Sequence, residues 1–335
     1  VPDRQKAILA ISVQSGPFVR MAEMQLPGEA IISTNFLSRY LGLEPGTPYN
    51  QNKILSIAQK IEDLGFITLN KAPELGFTND TCIPVLDPKP TPFRNNFDFI
   101  IGVIPQSNSG RLLLTASLRA ALNNTLGKGE SIRFNFERLR PETQALELAM
   151  TYPYILELPL GTDLQFNLYK RDSSYLDVFG ELGLQYLLSG NNLLRVFWKQ
   201  HRSNLIQAPQ RLPDEKPGLP ASLDILHRSF GLGFSFRRLD YVFNPRKGLL
   251  LNIRGNIGNR KIVPNSRVEE NGYSNLYKEL DLNTLRYQLA FEASWYLPLF
   301  SQSTLKLAVD SRLIAGKGEN FRNEQFRIGG NRLLR

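Results

Sequence analysis

The residues that build metal sites and disulfides are scarce in this sequence. It has one cysteine, Cys82, and two histidines, His201 and His227. A lone cysteine excludes an internal disulfide framework and a thiolate metal cluster, so we expect Cys82 to be a small core residue. Neither histidine has a second ligand at metal-binding spacing along the chain. We therefore predict no metal or other cofactor, and we place both histidines on a surface or in a lumen.

Long apolar runs and clustered charge are lacking too. The wholly apolar runs, such as 249–251, are a few residues long, whereas a transmembrane helix needs about 20. A membrane-spanning strand needs only about 9–11 alternating residues, so a membrane protein is not excluded. The net charge of +9 is dispersed along the chain, which argues against a nucleic-acid partner.

Catalytic patterns are missing as well. Gly231 and Gly233 lie in "FGLGFSF", a strand pattern without a following helix, so no phosphate-binding loop is implied. Asp98 and Asp240 are predicted at a strand end or in a turn rather than as catalytic acids. We predict that the protein is not an enzyme.

Residues 1–92 mix helix and strand patterns and predict a small α+β domain. Its elements are expected in the order β-β-α-α-β-β, at 6–16, 17–28, 33–43, 50–65, 66–79 and 81–87. Ser33 or Thr34 is the expected N-cap of the first helix, and Asn50 that of the second, which ends at Gly65. A proline-rich linker at 87–93 follows. The N-terminus shows no signal-peptide pattern, so either it has no export signal or the chain has been trimmed.

After Asn96 the hydrophobic period changes to two. In "LRYQLAFEASWYL" the residues Leu285, Tyr287 and Leu289 share one face with other apolar residues, while Arg286 and Gln288 share the other. Segments of this kind predict eleven strands, at 97–104, 111–122, 130–140, 143–153, 162–171, 175–189, 193–202, 226–239, 248–261, 281–297 and 303–315.

The connections between these strands favour a membrane barrel over a soluble sandwich with one polar face. Connections with even numbers are short or proline-punctuated, and the two long ones, 203–225 and 262–280, are the seventh and ninth. Short turns on one rim and long loops on the other are typical of outer-membrane barrels. This parity puts the N-terminal domain on the short-turn, periplasmic side.

The cost of burying charge in lipid decides which face is which. Arg or Lys on the lipid side of a barrel costs about 2–4 kcal/mol at the midplane, so the polar face is predicted to line the lumen. An aromatic girdle is expected near strand ends, at Tyr152, Tyr154, Trp295 and Tyr296.

Several segments resemble the BamA/TamA-type outer-membrane assembly proteins, whose relatives include two-partner secretion transporters. "LGLEPGTPYN" (Leu41 to Asn50) and "IEDLGF" (Ile61 to Phe66) resemble their periplasmic POTRA module, and "NNFDFIIGV" (Asn95 to Val103) resembles the start of their barrel. "LELAMTYPYI" and "RRLDYVFNPRKGLLL" resemble internal strands and turns. The resemblance implies a POTRA-like domain at 1–92 and, at 93–335, about eleven strands of a sixteen-stranded antiparallel barrel.

The terminal "RIGGNRLLR" is the most specific match. It resembles the start of the family's sixth extracellular loop, with a Gly-Gly and then a hydrophobic-Arg pair, at Gly329, Gly330, Leu334 and Arg335. In the family this loop follows the eleventh strand, as the strand count here also gives. The resemblance implies that the loop folds into the lumen and that the sequence is incomplete.

The resemblance also implies a function. It predicts a factor that folds and inserts β-barrel clients through a lateral gate in a bacterial outer membrane. The first barrel strand would form this gate with Asn96, Phe97, Asp98, Phe99, Ile100, Ile101 and Gly102. Implied partners are unfolded outer-membrane proteins, the lipid bilayer, and accessory lipoproteins or an inner-membrane partner. A secretion pore for one polypeptide and a passive porin are the alternatives.

Overall fold

A computed structural model gives the fold of most of the chain. It describes residues 16–28, 31–92, 94–105, 112–140, 143–188, 192–208, 220–242, 244–271, 273, 276–300 and 302–326. A small N-terminal α/β part is followed by a large antiparallel sheet. Among the helices in these ranges, none combines the length and hydropathy needed to cross a membrane.

The N-terminal part contains short strands around three helices. They are β1 Arg20–Met21, α1 Thr34–Leu41, α2 Gln51–Leu55, α3 Ile57–Leu64, β2 Ile67–Leu69, β3 Glu74–Phe77, β4 Thr81–Val85 and β5 Pro88–Pro90. Strand β4 lies between β1 and β3, parallel to β1, and β2 pairs with β5. Helices α1 and α3 bury one face each, and Leu37, Leu41, Ile57, Ile61 and Cys82 form part of the core, as predicted for Cys82.

Capping residues set the helix ends as the sequence predicts. The Ser33 hydroxyl accepts a hydrogen bond from the Phe36 amide, and the Asn50 side chain accepts from the amides of Asn52 and Lys53. Gly65 ends α3 in the left-handed conformation. The single helix predicted over 50–65 is in fact two, because the backbone departs from the helix at Ser56.

Other N-terminal predictions were wrong or fall outside the described residues. The strand expected over 17–28 is only Arg20–Met21, and the one over 66–79 is two strands, β2 and β3, in different sheets. The one over 6–16 lies outside the described residues except for Gly16. The predicted linker at 87–93 contains β5, which pairs with β2. Proline tolerates this position because the ribbon has two strands and the missing N–H faces away from the partner.

The eleven predicted barrel strands are confirmed, with ends displaced by at most three residues. They are β6 Asn96–Pro105, β7 Leu112–Asn123, β8 Ser131–Arg140, β9 Thr143–Tyr152, β10 Leu160–Arg171, β11 Tyr175–Leu187, β12 Leu193–Leu205, β13 Ile225–Leu239, β14 Gly248–Ile262, β15 Asn283–Phe300 and β16 Ser303–Gly316. Within the described residues they form one antiparallel sheet in sequence order, with β6 and β16 at its edges. Helices α4 (Ser266–Glu270) and α5 (Leu276–Glu279) lie between β14 and β15.

The sheet has an apolar outer face and a polar inner face. Register fixes the faces: on β15, Leu285, Tyr287 and Leu289 point outward and remain exposed, while Arg286 is buried on the inner face. Tyr152 and Trp295 lie on the outer face, as the predicted girdle requires. The girdle prediction is wrong for Tyr296, whose register puts it on the inner face beneath Lys306, and for Tyr154, which packs on the N-terminal domain.

The N-terminal domain packs against the even-numbered connections, as the parity argument predicts. We call this rim the domain-side rim and the opposite one the far rim. The Ser33 amide donates to the Gly127 carbonyl (2.7 Å), and Gln59 Nε2 donates to the Asp240 carbonyl (2.6 Å). The Phe36 ring lies edge-on to Tyr154, 5.6 Å between centroids. Two far-rim connections, 206–224 and 263–282, are long, whereas the other three are short.

Replacing Leu289 by Arg is expected to prevent stable membrane integration. The change puts a guanidinium on the outer face of β15, at a cost of about 2–4 kcal/mol near the midplane. Protease protection and heat-modifiable migration on gels measure integration. Ala308→Arg is the control, because Ala308 lies on the inner face of β16. Normal integration of the Leu289 variant would contradict the assignment of the faces.

A Gly129→Ala variant is expected to loosen the domain from the barrel. Gly129 has φ +76°, and an added Cβ would overlap the Phe36 ring. Gly46→Ala is the matched control, because Gly46 has φ +81° with open space around its Cβ position. Both variants bear the backbone cost of about 1–2 kcal/mol. Amide hydrogen exchange in α1 should accelerate only in the Gly129→Ala variant. Equal exchange rates in the two variants would show that the Gly129–Phe36 contact does not hold the domain against the barrel.

Candidate functional site

The predicted gate residues form the edge strand β6. Asn96, Asp98, Ile100 and Gly102 face inward, and their neighbours Phe97, Phe99 and Ile101 face outward. Among the described residues β6 pairs only with β7. Along its other edge the described residues supply no partner strand, and the side chains there are apolar: Phe97 is 70% exposed and Ile101 58%. Strand β16 forms the opposite edge of the sheet.

The sixth-loop residues Gly329, Gly330, Leu334 and Arg335 lie outside the described residues. The residues that precede them, 317–326, are described, and we call them the return segment. They leave β16 at the far rim and turn back onto the inner face. Arg286 donates to the carbonyls of Gly318 (3.2 Å) and Glu319 (2.9 Å).

Two buried contacts hold the return segment against the strands. Arg260 Nε lies 2.8 Å from Glu324 Oε1, and its guanidinium is 5.2 Å from the Phe321 ring. Asn323 Nδ2 donates to the Ser203 hydroxyl and to the Leu223 carbonyl, both at 2.8 Å. The return segment thus covers the far-rim end of the inner face on β12 to β15.

A network of opposite charges crosses the middle of the inner wall. Arg195 on β12 contacts Asp163 on β10, and its Nη1 donates to Glu181 Oε1 on β11 at 2.6 Å. Arg254 on β14 reaches the same Glu181 oxygen at 2.5 Å. The Glu181 side chain is 1% exposed. The network links β10, β11, β12 and β14 across the wall.

A single aromatic ring organises the two arginines. The Phe197 ring on β12 lies 5.0 Å from the Arg195 guanidinium carbon and 4.8 Å from that of Arg254, within the range of cation–π attraction. Room for this ring comes from Gly231 of "FGLGFSF", where an added Cβ would overlap it. Gly231 therefore serves packing, in agreement with the sequence analysis, which found no phosphate-binding loop in this segment.

Sequence reasoning did not find this charge network. Its members are spread over 163–254 and lie on four strands, so no local motif carries them. Each of them does occupy a polar-face position of its strand, and the in-register sheet aligns these positions. A register model of the strands is the signal that could have found them.

The two histidines face each other on the inner wall. His201 on β12 pairs in register with His227 on β13, and His201 Nε2 lies 3.6 Å from Asp177 Oδ1. The lumen position agrees with the expectation from sequence, although the pairing of the two was not foreseen. The described part of the chain contains no group of three or more His, Cys, Asp or Glu residues that could hold a metal ion.

The turn in "RRLDYVFNPRKGLLL" is organised by Asp240, as the sequence predicts. Its carboxylate accepts from the amides of Tyr241 (2.9 Å), Arg246 (2.9 Å) and Lys247 (3.0 Å). Burial alone would raise the pKa of Asp240, but these donors outweigh it and the pKa is lowered. The turn thus keeps its charge at the domain-side rim, where Gln59 contacts it.

These features define a membrane β-barrel wall preceded by a small α+β domain. The family model described as the Omp85 superfamily domain matches residues 124–335. The chain belongs to the Omp85 superfamily. Barrels of this superfamily are outer-membrane proteins, and we place the sheet in an outer membrane accordingly.

Solved structures share this fold at low sequence identity. CdiB from Escherichia coli matches at TM-score 0.53 and 15% identity, over 95% of this chain and 58% of that one. CdiB from Acinetobacter baumannii matches at 0.50 and 14%, over 95% and 56%. BamA from Haemophilus ducreyi lacking POTRA domains 1–3 matches at 0.47 and 17%, over 95% and 60%. The chain thus spans about 60% or less of their lengths. Comparison with curated proteins gives no significant match.

Replacing Glu181 by Leu is expected to destabilise the barrel. The change leaves the Arg254 contact unpaired and removes one partner of Arg195, which costs about 3–5 kcal/mol for a buried pair. The control is Glu292→Leu, because Glu292 is 45% exposed and its pair with Arg312 is worth at most about 1 kcal/mol. The unfolding temperature in detergent measures both. Equal small shifts would show that the network does not stabilise the wall.

Proposed function

We propose that this protein is a non-enzymatic assembly factor that folds and inserts β-barrel clients into a bacterial outer membrane. The observation that carries the proposal is the position of β6 at one edge of the described sheet, with apolar side chains up to that edge; the other edge strand, β16, has Lys306, Asp310 and Arg312 on its inner face. An edge strand offers a row of unpaired N–H and C=O groups. In hydrocarbon each unsatisfied group costs several kcal/mol, so an incoming strand that pairs with the edge is strongly favoured.

The side chains of β6 support the same use. Phe97, Phe99 and Ile101 keep the outer face apolar up to the edge, so a client strand can meet β6 within the bilayer. A strand added here extends the sheet by β-augmentation. The lateral gate therefore comprises Asn96 to Gly102, with β6 parting from the strand that closes the barrel.

The N-terminal domain acts as a periplasmic POTRA-like module in this proposal. Residues 1–92 form the module, and 93–335 belong to the barrel. The module contacts the domain-side rim, next to the start of β6 at Asn96. A client polypeptide released from the module would therefore be close to strand β6. Partners are unfolded outer-membrane proteins, the lipid bilayer, and accessory lipoproteins or an inner-membrane protein.

The sixth-loop residues complete the proposal. Arg335 offers five donors in a rigid fork, suited to hold a carboxylate of the inner wall. Gly329 and Gly330 allow close backbone packing beside it. The return segment already lies on the inner face through Arg260 and Glu324, so the chain enters the lumen before it reaches Gly329.

A secretion pore is the second candidate, and the polar inner wall favours it. Lys199, Arg254 and Gln288 line a groove on this wall, which could accompany an extended polypeptide. The return segment covers the far-rim end of this wall on β12 to β15 and would have to move. This requirement makes the edge of β6 the better-supported site of action.

Photo-crosslinking at two outer-face isoleucines tests the assembly proposal. A photoreactive residue at Ile101 on β6 should capture a barrel client in transit, because in the proposal a client strand pairs with β6 when it parts from the strand that closes the barrel. The same residue at Ile253 on β14 should capture none, since β14 is paired on both sides. Radiolabelled unfolded barrel proteins in membranes that contain the full-length protein provide the readout.

A third position separates the two candidates. Gln165 lies on the inner face of β10, so a photoreactive residue there reports on chains in the lumen. Capture of a secreted polypeptide at Gln165 with no client at Ile101 would replace the assembly proposal by the secretion pore. Depletion in the host gives an independent readout, because only loss of an assembly factor lowers barrel proteins in the outer membrane.

A further inference from the structure

The outer face of the sheet carries charge of one sign only. On the described strands, every ionisable acidic side chain points inward, whereas the outward-pointing charges are all cationic: Arg138, Lys170, Arg202, Arg228, Arg238 and Lys261. The inner face, in contrast, mixes both signs and pairs them. An outer face whose charges are all cationic indicates that these charges interact with anionic groups outside the protein.

These cations are also concentrated at one rim. Of the six, only Arg238 lies at the domain-side end of its strand, opposite Leu249. The other five lie at strand ends near the far rim. Charges placed only for solubility would be spread over both rims. Their concentration at the far rim indicates that the environment of this rim favours cations.

Three of the far-rim cations form a compact group. Arg202 on β12 is the register partner of Leu226 on β13, and Leu226 is in turn the register partner of Lys261 on β14. With strands about 4.8 Å apart, the backbones of Arg202 and Lys261 are roughly 10 Å apart. Arg228 lies between them, one outward position nearer the middle of the sheet. We call Arg202, Arg228 and Lys261 the cationic triangle.

The surroundings of the triangle are neutral and polar. Arg228 Nε donates to Gln200 (2.8 Å) and Arg202 Nε to Asn204 (3.1 Å). Both acceptors are amides, so the guanidinium charges are oriented but not neutralised. Asn259 and Asn283 occupy adjacent outward positions. Within the described residues no member of the triangle forms an ion pair with a carboxylate, and all three are exposed.

The triangle begins where the apolar belt ends. The next outward positions toward the middle of the sheet are Trp198, Phe230 and Ile257, an apolar band with an indole at its border, as at a membrane interface. The cations therefore lie at the depth of the lipid headgroups, where each basic residue attracts anionic lipid by about 1 kcal/mol.

We propose that the cationic triangle binds the phosphorylated headgroup of a lipid in the leaflet around the far rim. The guanidiniums of Arg202 and Arg228 take phosphate oxygens in a planar fork, Lys261 supplies a third charge, and the neighbouring amides hydrogen-bond to the rest of the headgroup. The inference rests on the membrane orientation in the proposed function, but not on insertion activity. It assigns the β12–β14 sector as the lipid-anchored part of the wall, remote from the edge at β6.

Native mass spectrometry of the full-length protein in detergent, titrated with diphosphorylated lipid A, tests the proposal. The triple variant Arg202→Gln, Arg228→Gln, Lys261→Gln should bind lipid A at least tenfold more weakly, given roughly fivefold per cation. Glutamine is compatible with the site because Gln200 already occupies an adjacent position. Circular dichroism and heat-modifiable migration show that the variant is folded.

Lys128→Gln is the control, because Lys128 is an exposed lysine in a domain-side turn. It should bind lipid A like the parent protein. Equal binding by the triple variant, or an equal loss in the control, would overturn the proposal. Displacement of lipid A by millimolar inorganic phosphate would also overturn it, since the site would then be a free-anion site. Client crosslinking at Ile101 is measured on the same variants, so failure of one proposal is distinguished from failure of the other.

Discussion

The structure depends on one constraint: a backbone in hydrocarbon must satisfy its own hydrogen bonds. A spanning sheet meets this demand only by pairing each strand along its full length. Pairing in register then fixes the face of every side chain, because the period of a strand is two. The apolar outer face, the polar inner wall and the significance of the β6 edge all follow from this ladder.

The inner wall shows how the same register builds polar structure. Asp163, Glu181, Arg195 and Arg254 come from four strands, yet the ladder brings them together around Phe197. Nearer the far rim, Arg260 and Arg286 hold the return segment in the same way. Charged side chains that would be costly on the lipid face thus form ion pairs between strands on the inner face, and these pairs link the strands of the wall.

The barrel was far easier to predict from sequence than the N-terminal domain or the inner site. Long alternating segments such as 285–297 leave only their ends uncertain, and the structure moves those by three residues or fewer. Short elements such as β1 and β5 depend on tertiary pairing rather than on a hydrophobic pattern. For this reason the strand predicted over 17–28 was too long, and the predicted linker at 87–93 contains a strand. The charge network required register, which no local motif encodes.

Strand β6 departs from the pattern that fixes the rest of the sheet. A one-residue slip of β15 would turn Arg286 and Glu292 into lipid, so its register is strongly specified. On β6 the inward positions beyond Asp98 are Ile100, Gly102 and Ile104, so a slip would turn only one charge, that of Asp98, toward lipid. Register is weakly specified where both faces tolerate lipid. Under the proposed function, an edge whose register is weakly specified would pair with clients of different sequence more readily than a strand of the wall would.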